Sequence, residues 1–495
     1  MKLSSLKRID EKYFSVLSVL PIFFAAVLFF VMLNYDPYEV EDKVKTIAPL
    51  IPVGVSIVLG GFYLSFMQAF GKLNTKRIIA VLFLLGFAVR LAYCLRYNYS
   101  QNQHDVESLV SSGHLKYIYN LALGEGLPKT NDWQFCHPPL HHFLASLVVK
   151  FSWSLGFRNA VAFENVQLLT CFYSALLMFA AYSLLKEFKI EGRALVFGCA
   201  FIAFNPTFFI LAGSINNDVL TVLLSVYALL FLVKWYKKPT IVSALVCGAF
   251  TGLAMMTKFS AALIAVVAAI TVLFKLFYDK GLKFGRFAAH TGCFLGAMLP
   301  PGLWYQIRNM YLFGQPLGYV APLSTESALY IGNMSLVDRI LMPLSSRPTE
   351  VYVDVWKEHN LWQYLLRNSL FGEYSFGNEG LALVAVLGNL LVTVAVLFAI
   401  VILFIRFKKD KFATLPVVVL FFVEWAFFIY FNITSPFRCS MDFRYIVPVL
   451  FCSALFMGVI CNKAQTDGGV VYKIFTAFCE GAVILLCVSS ILVFI

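Results

Sequence analysis

The chain has 495 residues, of which 60% are hydrophobic, 16% aromatic and 13% charged, with a mean hydropathy of +0.79. A soluble globular protein carries about 25% charged residues, so this composition excludes a soluble enzyme, a disordered chain and a disulfide-stapled secreted domain and specifies an all-α polytopic membrane protein. The net charge of +12 fits Lys and Arg in cytosolic loops rather than nucleic-acid binding.

The first residues mix Lys2, Lys7, Arg8 and Lys12 with Asp10 and Glu11. The apolar stretch behind them is long enough to span and lacks a small-x-small cleavage site, so it reads as a span and not a cleaved signal. Runs of spanning length follow at 13–33, 47–70, 78–97, 165–185, 194–212, 219–235, 239–256, 259–276, 287–304, 381–405, 412–431, 445–461 and 474–494, about 13 transmembrane helices.

Residues 139–155 are ambiguous. They contain His141, His142 and Lys150, while Leu140, Phe143, Leu144, Leu147, Val148 and Phe151 recur at helical spacing. That pattern predicts an amphipathic helix lying in the interface. Loop charge supports it. With a cytosolic N-terminus and no span here, the inside loops hold Lys72, Lys76 and Arg77; Lys186, Lys189 and Arg193; Lys234, Lys237 and Lys238; Lys275, Lys280, Lys283 and Arg286; and Arg406, Lys408, Lys409 and Lys411. A span at 139–155 would invert all the later loops and place these bases outside. Two long outside segments result, 98–164 and 305–380.

Most of the 11 Cys lie in apolar runs, as at Cys94, Cys171 and Cys247, where Cys behaves as a small hydrophobe. Cys136 and Cys439 fall in outside loops, either paired or free.

The first outside loop reads Gln103-His104-Asp105-Val106-Glu107, then Gly113-His114, then His137-Pro138-Pro139-Leu140-His141-His142. Acids and imidazoles gather beside the exit of a span. Proline starts a helix well, which fixes His137 at the helix mouth. The second outside loop, Gly213-Ser214-Ile215-Asn216-Asn217-Asp218, ends in an acid that opens the next span. A carboxylate is favourable there in any helix; the alternative is a second acid facing the same outside cleft as Asp105. Lys258, Arg308 next to Asn309, and Arg438 and Arg444 around Ser440-Met441-Asp442 line the outside ends of spans. Such bases either snorkel or hold an anionic headgroup, for which a guanidinium fork is well shaped. Arg90 and Glu424 are the clearest ionisable residues inside the membrane.

In order and membrane side, these features resemble the GT-C superfamily, and within it the protein O-mannosyltransferases and the bacterial lipid A aminoarabinose transferases. Thr257-Lys258 after a Gly-rich span and the run Trp304, Arg308, Asn309, Phe313, Gly314 and Pro316 are also similar. The resemblance covers roughly residues 78–320 and implies a catalytic membrane module there, with the loop 98–164 inside it. Residues 1–77 then add two N-terminal helices, 321–380 form an outside loop and 381–495 hold the C-terminal helices.

The resemblance implies a membrane glycosyltransferase that takes a sugar, as mannosyltransferases do, from a polyprenyl-phosphate donor. The acceptor, a glycan, lipid or protein, receives it on the outer or lumenal face. Asp105 maps onto the catalytic carboxylate and acts as general base in an inverting displacement. Asp218 is the second catalytic acid, positioning the acceptor or sharing a metal with Asp105. The expected substrate-binding residues are Glu107, His114, His137, His141, Asn217, Lys258, Arg308 and Arg444. His137, Arg308 or Arg444 would stabilise the leaving lipid phosphate. Val106 departs from the adjacent Asp-Glu pair of many relatives, and on a helix positions 105 and 107 do not share a face. That favours Asp105 over Glu107 as the base. An acidic pair suits a divalent metal, but neither loop has a D-x-D, so no obligatory cofactor is expected.

A bacterial plasma membrane is preferred, or the ER membrane in a eukaryote. The sequons at Asn98, Asn333 and Asn432 fall in outside loops, as lumenal glycosylation would allow. A transporter or flippase is the rival reading. It explains Arg90 and Glu424 but predicts repeat halves with paired broken helices, which the sequence lacks. A zinc hydrolase would place an acid between His137 and His141, as in H-E-x-x-H, and none stands there.

Overall fold

A computed structural model describes residues 16–278, 283–341, 350–406 and 413–494. The basic N-terminal residues and Lys280, Lys408, Lys409 and Lys411 of the expected cytosolic loops lie outside these ranges. In chain order the helices are α1 (Val16–Asn34), α2 (Asp42–Ile47), α3 (Leu50–Ala69), α4 (Thr75–Arg96), α5 (His114–Leu123), α6 (Leu140–Ser154), α7 (Asn159–Glu187), α8 (Gly192–Ala203) and α9 (Thr207–Gly213). There follow α10 (Asp218–Lys237), α11 (Ile241–Thr257), α12 (Leu263–Tyr278), α13 (Phe284–Phe313), α14 (Leu361–Phe371), α15 (Glu379–Arg406), α16 (Leu415–Thr434), α17 (Val449–Asp467) and α18 (Val470–Phe494). Among the described residues the only β pairing is a single bridge between Tyr330 and Phe437.

Each of the thirteen apolar segments read from the sequence contains helix, interrupted at 48–49, 204–206, 239–240 and 446–448, and the count of thirteen spans is not reached among the described residues. Among the described residues, nine helices are long and apolar enough to cross a bilayer, and α8 with α9 makes a tenth if the bent pair is one span. Helix α11 is shorter, as is the apolar part of α17. The 30-residue α13 carries Arg286, His290, Gln306 and Arg308 along its length. Outward-facing Ile22, Phe30, Val58 and Phe62 are two-thirds exposed or more, an apolar surface that only lipid covers.

Helix α6 has 15 residues, about 22 Å at 1.5 Å per residue, too short for a hydrocarbon core of about 30 Å. It turns His141, His142, Ala145, Ser146 and Val149 inward and leaves Phe143, Leu147 and Phe151 exposed. The apolar stripe read from the sequence is therefore the outer face, and the imidazoles belong to the interior.

Two local devices set the frame for the outside end. The break between α8 and α9 is a 44° bend at Asn205-Pro206, where proline removes a backbone donor and disfavours helix in the residue before it. The carbonyls freed at the end of α8 are satisfied by Arg90, which is wholly buried. Its guanidinium donates to Ala203 O at 2.6 Å, Ile202 O at 3.2 Å, Gly86 O at 2.8 Å and Ser174 Oγ at 2.9 Å. Arg90 thus caps a broken helix from the side, which removes it as an argument for a transport path. The second device is the close approach of α11 to α13. A Cβ on Gly248 would lie 2.3 Å from Phe294 O, and one on Gly252 2.6 Å from Met298 O. Small residues let two helices pack backbone to backbone in lipid, and this contact fixes where α11 ends and presents Lys258.

Candidate active site

The end of α4 releases the chain into an irregular segment that carries Gln103, His104 and Asp105. Asn102, Asp105 and Glu107 have φ of 52°, 58° and 59°, a left-handed conformation that is rare outside glycine. Positions 105 and 107 are thus not on a helix, and the helical-face reasoning does not apply to them. Glu107 is exposed and accepts only from Ser111 Oγ, at 3.3 Å, among the bonds described. The segment is held from both sides. His114 N and Leu115 N, free donors at the start of α5, bond Asp105 O at 3.0 Å and Val106 O at 3.2 Å. Gly113 allows this, because a Cβ there would meet Val106 O at 2.4 Å. Gln103 reaches across to the second outside loop, donating to Gly213 O at 2.6 Å and accepting from Ile215 N at 3.1 Å.

Asp218 opens α10 and is 3% exposed. Asn216 Oδ1 accepts from its backbone N–H at 3.1 Å, and Asn217 Nδ2 donates to Thr257 O at 2.9 Å. The second bond ties the start of α10 to the end of α11, so that Lys258 Nζ meets Asp218 Oδ1 at 2.5 Å.

Arg444 joins the two loops. It sits in a short 3-10 turn between α16 and α17. Its Nη1 lies 2.8 Å from Asp105 Oδ2 and 3.7 Å from Asp218 Oδ2, and its Nε lies 3.5 Å from Asp442 Oδ2. Lys258 Nζ and Arg444 Cζ stand 5.0 and 5.1 Å from the Tyr445 ring centroid. Burial opposes ionisation of Asp105, but Arg444, His104 and Lys258 together outweigh it and hold the carboxyl below its ordinary value. Burial likewise opposes the charge of Arg444, and Tyr445, Asp105, Asp442 and Asp218 reverse that.

Behind the acids lies a stack of rings. The His114 ring is 6.0 Å from His137 and 5.1 Å from His142, and Tyr117 is 4.0 Å from His142, all nearly parallel. His114 Nδ1 and His142 Nε2 share a hydrogen bond of 2.8 Å, and His141 Nε2 meets Ile215 O at 2.9 Å. Burial pushes His137 and His141 down to about 4, and His114 and His142 well below their ordinary value. Near neutral pH these imidazoles carry no charge.

The structure brings together Asp105, Asp218, Lys258 and Arg444, with Asn217 as a brace and His137 beside them. Glu107 stands apart. Arg308 is engaged elsewhere: its Nη2 donates to Pro128 O at 2.7 Å and its Nη1 to Asn309 Oδ1 at 2.7 Å, pinning the first outside loop to α13. Tyr305 reinforces that joint through Phe135 O at 2.9 Å. Arg438 is bonded to the Glu358 and Ala328 carbonyls. Cys136 and Cys439 are both free.

Sequence reasoning left three members out of the site. His104 Nδ1 lies 3.7 Å from Glu373 Oε2, and His104 Nε2 lies 3.6 Å from Asp442 Oδ2. His104 and Asp442 were visible as neighbours of Asp105 and Arg444. Glu373 follows α14 in Gly372-Glu373-Tyr374, where no motif marks it.

Residues 136–305 match the family model described as dolichyl-phosphate-mannose-protein mannosyltransferase. The chain is similar to apo ArnT from Cupriavidus metallidurans at 14% identity and a TM-score of 0.47, over 83% of this chain and 75% of that one. It is also similar to the archaeal oligosaccharyltransferase AglB from Archaeoglobus fulgidus, solved with an inhibitory peptide and a dolichol-phosphate, at 13% identity and a TM-score of 0.46. That likeness covers 84% of this chain and 55% of the AglB chain. No curated protein matches the sequence. The family match runs from the end of the first long loop through most of α13, about a third of the chain, and over that stretch the chain is similar to this family of membrane mannosyltransferases.

Proposed function

We propose that the protein transfers a sugar from a polyprenyl-phosphate donor to an acceptor hydroxyl on the outer or lumenal face, with inversion and with Asp105 as general base. One relationship carries this reading. Asp105 and Asp218, the acids of two separate outside loops, meet on the single guanidinium of Arg444.

The chemistry follows from those contacts. The acceptor O–H gives its proton to the Asp105 carboxylate as its oxygen bonds the anomeric carbon. The bond from that carbon to the phosphate oxygen breaks, and the polyprenyl phosphate leaves with the electron pair. In the resting site Arg444 holds Asp105 and lowers its basicity. As negative charge grows on the leaving phosphate, that phosphate competes for Arg444 and Lys258, and fixed donors act most strongly on charge that develops in the transition state. Asp105 then regains basicity as the proton must move. A neutral His137 offers one N–H to the same phosphate. Asp218, pinned by Lys258, positions the acceptor.

The catalytic unit in this reading reaches past residue 320, because Arg444, Asp442 and Glu373 complete the cluster. The acceptor class, a glycan, a lipid or a protein, follows from the assay below, and a bacterial plasma membrane remains the preferred location. The assay uses purified protein in detergent with a panel of polyprenyl-phosphate sugars, read by mass spectrometry. Wild type releases polyprenyl phosphate from one of these donors and Asp105→Asn does not. Equal release by Asp105→Asn, or no turnover of any donor with a folded protein and a range of acceptors, refutes the proposal.

A further inference from the structure

Three residues from distant parts of the chain converge beside Arg444: His104 from the first outside loop, Glu373 from the turn after α14, and Asp442 from the segment before α17. One ligand-type atom from each lies within 4.8 Å of the other two. The separations of 3.7 and 3.6 Å from the imidazole to the two carboxylates are long for hydrogen bonds. They are close to the spacing of about 3.4 Å between ligands held about 2.1 Å from a tetrahedral ion.

The two carboxylates are oriented alike. Asp442 Oδ1 accepts from Arg444 N at 2.9 Å, while Asp442 Oδ2 is buried and accepts no hydrogen bond, with His104 Nε2 at 3.6 Å and Arg444 Nε at 3.5 Å. Glu373 Oε1 accepts from Tyr364 O–H at 2.6 Å, and the distance to His104 runs from Oε2. Each acid thus has one oxygen fixed by a protein donor and the other within 3.7 Å of the imidazole, that of Asp442 also facing Arg444. Outer partners that hold a ligand in this way are characteristic of metal sites. The Tyr374 ring, 5.2 Å from that of His104, packs beside it.

Charge points the same way. Asp105, Asp218, Glu373 and Asp442 bring four negative charges to this cluster, and Lys258 and Arg444 bring two positive ones. Four acids thus stand against two permanently charged bases in a largely buried place, with His104 the remaining titratable group. Uncompensated buried charge is costly, and a site with that excess would repel a phosphodiester.

We propose that His104, Glu373 and Asp442 form a site for one divalent first-row metal ion, Mn2+ or Zn2+. The imidazole among oxygen ligands favours these ions over Ca2+ and Mg2+. The ion offsets the excess of acids, ties three segments together and leaves coordination positions open to an anionic ligand. This site is separate from the pairing of Asp105 with Asp218 on Arg444. Its catalytic consequence rests on the glycosyltransferase reading, whereas ion binding does not.

The test uses full-length protein in detergent, stripped with a chelator and titrated with Mn2+. Electron paramagnetic resonance counts bound ion, pulsed measurements detect nitrogen coupling from an imidazole, and Zn2+ is added as competitor. The expected result is one bound Mn2+ per chain, coupled to one imidazole nitrogen and displaced by Zn2+. His104→Ala and Glu373→Gln weaken binding by about 100-fold or more, beyond the 10–100-fold typical of an outer-partner change. No binding of either ion at millimolar concentration overturns the proposal. So does bound Mn2+ without nitrogen coupling, or unchanged affinity in a folded Glu373→Gln. If the variants do not fold, the nitrogen coupling in wild type still decides. Loss of transfer activity with intact ion binding would count against the enzymatic reading alone.

Discussion

Arg444 donates to Asp105 at 2.8 Å although 339 positions separate them in the chain. That bond joins the first outside loop to the segment before α17. It also makes one cation answerable for Asp105, Asp442 and Asp218 together.

Replacing Arg444 by Gln removes the shared cation and leaves its acids buried. Breaking a buried pair by removing one partner costs about 3–5 kcal/mol. The melting temperature in detergent should fall by several degrees, and transfer should drop by about 100-fold or more as the phosphate loses its fixed donor. Arg444→Lys keeps the charge but not the fork, so it should recover stability better than rate. A variant with wild-type rate would remove Arg444 from the mechanism.

Acid should destabilise the protein through its buried imidazoles. His137 and His141 are pushed from 6.5 down to about 4 by burial. Their neutral forms are therefore favoured in the folded state. The unfolded chain takes up protons as pH drops below 6.5, while the folded chain does so only near 4. The contribution is fully present above 6.5 and is lost progressively down to about 4. Melting temperature measured across this window should slope downward toward acid. His141→Gln should flatten part of that slope even if it lowers the plateau. An identical slope in the variant would assign the effect to other groups.

In the proposed reaction Gln103 is a positioning residue. Its amide holds Gly213 O and Ile215 N at once, so Gln103→Ala frees two polar backbone groups and lets the two acidic loops drift. A lost buried hydrogen-bond partner costs about 1–3 kcal/mol. The expected signature is a fall in kcat of about tenfold or more with little change in donor KM, because misplacing reacting groups slows chemistry. A change confined to KM would place Gln103 at the donor instead.

Gly248 tests whether the approach of α11 to α13 sets the site. Gly248→Val puts a branched side chain where even a Cβ meets backbone at 2.3 Å. The helices must part, and Lys258 moves with the end of α11. Inserted protein should show a lower melting temperature and reduced transfer. Gly296, with open space beside its Cβ position, serves as the control: Gly296→Ala should leave both unchanged.

The hydropathy of the chain carried most of the fold, because a helix that must satisfy its own backbone in lipid declares itself by length and apolarity. The acids Asp105 and Asp218 and the base Lys258 were legible for a related reason: charge at the mouth of a span is conspicuous. What was hidden depended on the fold. Glu373 carries no local signal and matters only because α14 delivers it to His104. The comparison of Asp105 with Glu107 presumed a helix, whereas this segment takes left-handed φ at both residues. Arg308 looked like a phosphate ligand by position, yet its guanidinium is committed to the Pro128 carbonyl.

The order in which the site residues leave the ribosome has a consequence for assembly. Asp218 and Lys258 emerge 40 residues apart, close enough to enter the bilayer as a neutral pair. Asp105 has no such companion. At about 5–20 residues per second, the 339 positions to Arg444 take roughly 20–70 seconds to synthesise. During that interval Asp105 stands without the guanidinium that pairs with it. The cluster closes only when the segment before α17 arrives, so a nascent chain stalled before that point holds two of its acids without their shared cation.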